Sequence, residues 1–205
     1  MRRPLVLAVA VVAAVAVAVP VTLLAVSSPD QAREVRGSRP PARLELPQFS
    51  LRDQLGRTVS SDAVRGKAIV VTFLDTKCGE SCPVIAEQIR AALTRLSAAD
   101  RASTLALAIS VQPDDDTPTA ARAFLRRHRV QSTLRYLIGS EAALRPVWDR
   151  FQVLPALDSG SSDIHSAPVR VYDRGGVWIS TLNARADLTP ENLAHDVRLA
   201  LETGG

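Results

Sequence analysis

The chain has only two cysteines, and they lie four apart in Lys77-Cys78-Gly79-Glu80-Ser81-Cys82-Pro83. Two thiols at this spacing can hold a metal as thiolates, exchange with a disulfide, or form a structural staple. A staple closing so short a loop restrains the unfolded chain by only about 2 kcal/mol in the chain-entropy picture. A loop flanked by glycine, serine and proline is also a poor place for a buried core thiol. Pro83 suits the first position of a helix, which would make Cys82 its N-cap. There the sulfur would face unpaired amides and the positive end of the helix dipole, both of which favour thiolate. Two thiolates suit a soft ion such as Cu(I) or Zn(II). The same pair also suits thiol–disulfide exchange. Nothing resembles a peroxidase site, in which a T-x-x-C nucleophile is paired with an arginine.

Two thiolates leave most metals short of ligands, so the three histidines matter. His128 ends a helical pattern in Arg126-Arg127-His128-Arg129, where the C-terminal dipole accounts for it. His195 falls on the outer side of a closing helix and is given no role. His165 follows the polar loop Asp158–Asp163 and directly precedes a strand pattern. If that strand runs antiparallel to the strand before the cysteines, His165 starts at their edge of the sheet. Spacing alone leaves it open as a ligand or as a loop histidine bonded to backbone.

The elements that must position these residues are legible as patterns. Phe49–Arg52 and Arg57–Ser60 flank a turn and read as a short N-terminal hairpin. Lys67–Asp75 is a near-continuous β-branched and aromatic run, as in a buried parallel strand. Ile85, Ile89, Leu93 and Leu96 recur at helical spacing after Pro83. Thr104–Val111 reads as a second buried strand, Pro118–His128 and Glu141–Phe151 as helices, and Arg135–Ile138 as a short strand between them. Ala167–Asp173 and Val177–Leu182 form a hairpin across Arg174-Gly175-Gly176, and Pro190 opens a closing helix to about Leu201. This order predicts an α/β fold with a mixed sheet flanked by helices, the thioredoxin-like arrangement.

Ahead of the domain, Arg2 and Arg3 precede an apolar run of 22 residues, Leu5–Val26. As a helix it would span about 33 Å, the thickness of a bilayer core. The arginines place the N-terminus inside and the rest outside. Residues 1–26 therefore read as a single-pass transmembrane anchor. The alternative is a cleaved signal peptide with cleavage after Ser27, which would leave the protein secreted. Residues 27–43, rich in polar residues and proline, read as a flexible linker, and 44–205 as the folded domain. The net charge of +4 is a property of the first 43 residues, which carry six arginines against Asp30 and Glu34. The remainder is neutral, which argues against a nucleic-acid partner.

Three ordered motifs resemble the Sco/SenC family. Thr76-Lys77-Cys78-Gly79-Glu80-Ser81-Cys82-Pro83 is similar to its T-x-C-P-x-x-C-P, and Ser110-Val111-Gln112-Pro113-Asp114-Asp115-Asp116-Thr117-Pro118 to its S-V-D-P-x-x-D-T-P. His165 through Asp173 and Gly176 keeps the family's H-x7-D-x-x-G. The resemblance covers about residues 47–202. It implies a thioredoxin-like fold and copper, as Cu(I), Cu(II) or both, held by Cys78, Cys82 and His165. It also implies a role at the binuclear copper site of cytochrome c oxidase, with subunit II as client, either as a metallochaperone or by keeping client thiols reduced through Cys78 and Cys82. Gly79, Gln112, Ile164 and Pro168 depart from the pattern: a loop proline is lost, a carboxylate near the site is lost, a carboxylate beside His165 is lost, and a proline, with the question of a cis bond, enters the strand.

Overall fold

A computed structural model describes residues 34–161 and 167–204. These residues form one seven-stranded sheet with helices on both faces. In chain order the strands are β1 (Ser50–Asp53), β2 (Thr58–Ser60), β3 (Ala68–Leu74), β4 (Thr104–Ser110), β5 (Leu134–Ile138), β6 (Val169–Tyr172) and β7 (Trp178–Leu182). The helices are α1 (Ser81–Thr94), α2 (Ala98–Ala102), α3 (Pro118–Arg127), α4 (Glu141–Phe151), α5 (Ala156–Ser159) and α6 (Pro190–Glu202). The spatial order is β2-β1-β5-β4-β3-β6-β7. Only the β3–β4 and β4–β5 pairs are parallel. The mixed sheet, the N-terminal hairpin and each of the longer helices fall where the sequence pattern placed them. The short helices α2 and α5 carry too few residues to show a period.

β3 is an interior strand between β4 and β6, and all seven of its side chains are buried. Alternation splits them between two cores. Val70 and Leu74 pack with Ile85 and Ile89 of α1, Phe124 of α3 and Val197 of α6. Ile69, Val71 and Phe73 face Trp148 and Phe151 of α4. Each large apolar side chain so buried contributes roughly 1.5–3 kcal/mol. The helix starts are capped as their sequences require. Thr117, Ser140 and Thr189 each accept a backbone N–H from the first turn of α3, α4 and α6, and Pro118 and Pro190 occupy first-turn positions that need no donor.

The domain begins earlier than Leu44, which corrects the linker boundary. The Arg36 and Gly37 amides donate to the carboxylate of Asp196 at 2.7 and 3.1 Å, and Asp196 is fully buried. Ser38 pairs with Thr181 and Glu45 with Val177, so this strap runs along the outer edge of β7. A side chain at Gly37 would put Cβ 2.4 Å from the Thr181 carbonyl oxygen. The strap is held through backbone groups, and its polar side chains give no periodic signal. The apolar run 5–26 lies outside the described residues. Among the described residues no helix is long and apolar enough to cross a membrane, and every peptide bond, including the one before Pro168, is trans.

Candidate metal centre

Parallel pairing aligns Leu74 with Ser110, so the loops leaving β3 and β4 emerge side by side at one end of the sheet. Ligands of open α/β sheets sit at this carboxyl end. Asp116, in the β4–α3 loop, fastens the two loops together. Its Oδ1 accepts the Thr76 N–H at 2.8 Å, and its Oδ2 accepts the Ser110 hydroxyl at 2.6 Å and the Tyr136 hydroxyl at 3.0 Å. Burial pushes the Asp116 carboxyl up to about 6 despite these donors. The adjacent Asp115 holds Lys77 at 2.5 Å. The second motif thus serves the first: Ser110, Asp115 and Asp116 set the cysteine loop, and Thr117-Pro118 starts α3.

Within that loop Asp75 makes a tight turn. Its Oδ1 accepts the Lys77 N–H at 2.7 Å and its backbone carbonyl accepts the Cys78 N–H at 3.3 Å. Helix α1 then begins at Ser81, so Cys82 is its second residue and Pro83 its third, and Glu80 is the N-cap without a side-chain bond. This corrects the expected cap. Cys78, one turn earlier, provides the capping atom: its Sγ accepts the Cys82 N–H at 3.2 Å and lies 3.5 Å from the Ser81 hydroxyl. An amide donor at the positive end of a helix favours negative charge on that sulfur.

The effect on Cys82 is the reverse of the sequence expectation. The hydrogen bond with Cys78 and, next, burial push the Cys82 thiol far up, beyond the helix's power to lower it. Cys82 is fully buried, whereas Cys78 is 4% exposed and lines a cavity of about 690 Å³ between the start of α1 and the side of α3, along Ala120, Ala123 and Arg127. The thiols are therefore unequal: both are buried, but Cys78 reaches a cavity wall, whereas Cys82 lies wholly inside, where the bond with Cys78 and burial favour its protonated form.

His128 also lines this cavity, which sequence reasoning missed. It is the C-cap of α3, with its ring 4.6 Å from that of Phe124. Burial and then Arg127 lower its pKa, so the charged form expected at a helix end is disfavoured. His195 is half-buried rather than outward-facing, with Nδ1 3.2 Å from Asp196 Oδ1, far in sequence from the cysteines. His165 lies outside the described residues. The strand it precedes does run antiparallel to β3, with Val71 opposite Arg170, so Val169 opens β6 at the end of the sheet that carries the cysteines. Space around Gly79 is open, so no packing requires a glycine there.

The SCO1/SenC family pattern matches residues 38–202, most of the chain and all three motifs. The chain belongs to that family. Among solved structures, ScoI of Bradyrhizobium japonicum, determined with copper bound, is 29% identical, with a TM-score of 0.61 over 77% of this chain and all of that one. BsSco, described as a member of the Sco family of cytochrome c oxidase assembly proteins with a disulfide switch, is 20% identical and supports the fold alone. Its TM-score is 0.67 over 78% of this chain and 95% of that one. A SCO2-like protein of Rickettsia felis is 27% identical over 137 residues, covering 64% of this chain and 65% of that protein. The chain thus matches just under two thirds of the length of this curated relative. These identities make it a divergent family member with a thioredoxin-like Sco fold.

The donor chemistry fits the copper that the family holds. Two buried sulfurs sit within one helical turn, joined through an amide, with a cavity at the outer one.

Proposed function

We propose that this protein is an extracytoplasmic copper metallochaperone for assembly of the binuclear copper site of cytochrome c oxidase, with Cys78, Cys82 and His165 as copper ligands. The supporting observation is the unequal sulfur pair, one buried and one at a cavity wall, at the end of the sheet from which β6 starts. Copper is the cargo. Cys78 engages it first, and Cys82 then releases its proton as its sulfur bonds, which makes uptake pH-dependent. Transfer follows the reverse order: donor groups of the client, subunit II of the oxidase, displace Cys78 from the cavity side before Cys82 lets go. A three-ligand site leaves room for such exchange. The run Leu5–Val26 anchors the protein in the cell membrane and holds the folded domain outside the cytoplasm; cleavage after Ser27 would release it instead.

The test is titration of the reduced protein with a Cu(I) chelator complex under anaerobic conditions. Wild type takes one copper per chain; Cys78→Ser, Cys82→Ser and His165→Ala each weaken it by more than about a hundredfold, as expected for a ligand itself rather than its supporting shell. Affinities within a few-fold of wild type would end the proposal.

A second reading is thiol–disulfide exchange with a client, favoured by the hydrogen bond between the two thiols, which sets the buried sulfur to resolve a mixed disulfide at Cys78. Client-thiol reduction that survives His165→Ala supports this reading over metal transfer.

A further inference from the structure

Helices α1 and α3 both run back from the cysteine end of the sheet, and a cavity of about 450 Å³ lies where they finish. Arg90 and Thr94 of α1, Arg101 of α2, and Arg129, Ser132 and Thr133 beyond α3 line it. Thr104 also lines it and opens β4, whose other end, Ser110, lies beside the cysteine loop. At roughly 3.3 Å per residue, the length of β4 puts this cavity about 20 Å from the dithiol end.

The helix ends account for one of the three arginines. Arg101 donates from Nε to the Leu93 carbonyl and from Nη2 to the Leu96 carbonyl, each at 3.1 Å, which satisfies oxygens that α1 leaves unpaired as it ends. Arg90 is held loosely. Its Nη2 lies 3.4 Å from Glu87 Oε1 in an exposed pair, and its Nε is buried with no hydrogen-bond partner. Exposed pairs contribute little, so turning this side chain towards an anion gives up little. Arg129 is exposed and has no carboxylate partner among the described residues. Residues 117–140 hold five arginines and no Asp or Glu, although residues 44–205 as a whole are neutral. Arg129 also follows the C-cap His128 with φ 56°, in the left-handed region where helices commonly place glycine. An arginine kept at a position that favours glycine is retained at a cost to the backbone.

We infer that this cavity is a binding site for a phosphate group, separate from the metal centre. Guanidinium groups match phosphate oxygens in pairs, and the hydroxyls of Ser132 and Thr133 add donors. Arginines on α1, α2 and the segment after α3 approach from several sides, which suits a tetrahedral anion better than a flat carboxylate. The cavity is larger than a bare phosphate needs, so an ester substituent fits as well. The phosphate can therefore be the free ion or the headgroup of an anionic lipid.

The test is calorimetric titration of the full chain in neutral detergent, at constant ionic strength, with inorganic phosphate and with soluble short-chain phosphatidylglycerol. Short-chain phosphatidylcholine and chloride serve as controls. Saturable binding of phosphate or phosphatidylglycerol, absent with chloride, is the expected result, and the tighter of the two identifies the source. Arg129→Gly places the residue that this backbone favours, so the unliganded melting temperature should hold or rise while phosphate affinity falls about tenfold or more; Arg126→Gln, on the same helix but outside the cavity, should stay within about threefold of wild type. Arg90→Gln should weaken binding as Arg129→Gly does. Wild type that saturates with neither probe overturns the inference, as does equal weakening by Arg126→Gln and Arg129→Gly, the mark of diffuse charge rather than a site. None of these readouts depends on copper, so their failure leaves the metal reading standing.

Discussion

The middle of β3 and its carboxyl end, only a few residues apart, are built on opposite terms. From Ala68 to Leu74 every side chain is buried, and all but Thr72 are apolar; the strand is shared between two cores. Immediately beyond it come Asp75, Ser110 and Asp116, all buried and all polar. The first region gains stability from each residue. The second holds a raised carboxyl and a carboxylate oxygen with no hydrogen-bond partner. Groups that water would solvate more cheaply are retained at the end of the sheet where the cysteines are, and the strands behind supply the stability that offsets them.

This contrast can be broken from either side. The largest stability effect belongs to the strand: Phe73→Ala should destabilise by about 3–5 kcal/mol in denaturant melts while the surviving folded protein keeps its metal stoichiometry. The complementary change is Cys82→Ser, which should abolish tight metal binding yet move stability by less than about 1 kcal/mol, since it is nearly isosteric. If Cys82→Ser unfolds the protein, the dithiol is core and the contrast fails.

A subtler test uses pH. The folded-state pKa of Asp116, about 6, lies above its unfolded value, so the folded protein holds a proton that the unfolded chain has released between about pH 4 and 6. Its contribution to stability is present in full below that window and lost as pH rises through about 6. Thermal melts across the range should show this decline in wild type, and Asp116→Asn should flatten it. A wild-type profile without that component would contradict the proposed burial of charge. The smallest effect belongs to the exposed pair of Glu80 and Arg185, 3.6 Å apart, where Glu80→Gln should change stability by no more than about 0.5 kcal/mol.

The fold was readable because its signals are periodic. β3 and β4 show as apolar runs, α1 as Ile85, Ile89 and Leu93, and the last hairpin through its glycine turn. The boundaries that shifted were set by backbone groups. Pattern could not show that the Cys78 sulfur would accept the Cys82 amide and so displace Cys82 from the cap, nor that residues 36–38 would bind Asp196 and β7. The inversion of Cys82 from activated thiol to protonated, buried one has the same origin, because a sulfur's partners depend on the loop's path rather than on spacing. Asp75 was visible only as the end of a strand. Its unused oxygen is a fact of three dimensions. So is the cavity that brings His128 alongside Cys78, although 50 positions separate them.

The most direct test of the central claim, a copper centre made by an unequal dithiol with a distant histidine, is X-ray absorption at the copper edge of the Cu(I)-loaded reduced protein, compared with His165→Ala. Two sulfur scatterers at about 2.3 Å and one nitrogen at about 2.0 Å, the nitrogen lost in the variant, are the expected result, by analogy with other thiolate and imidazole sites. A wild-type spectrum with sulfur alone, unchanged by the substitution, would contradict it.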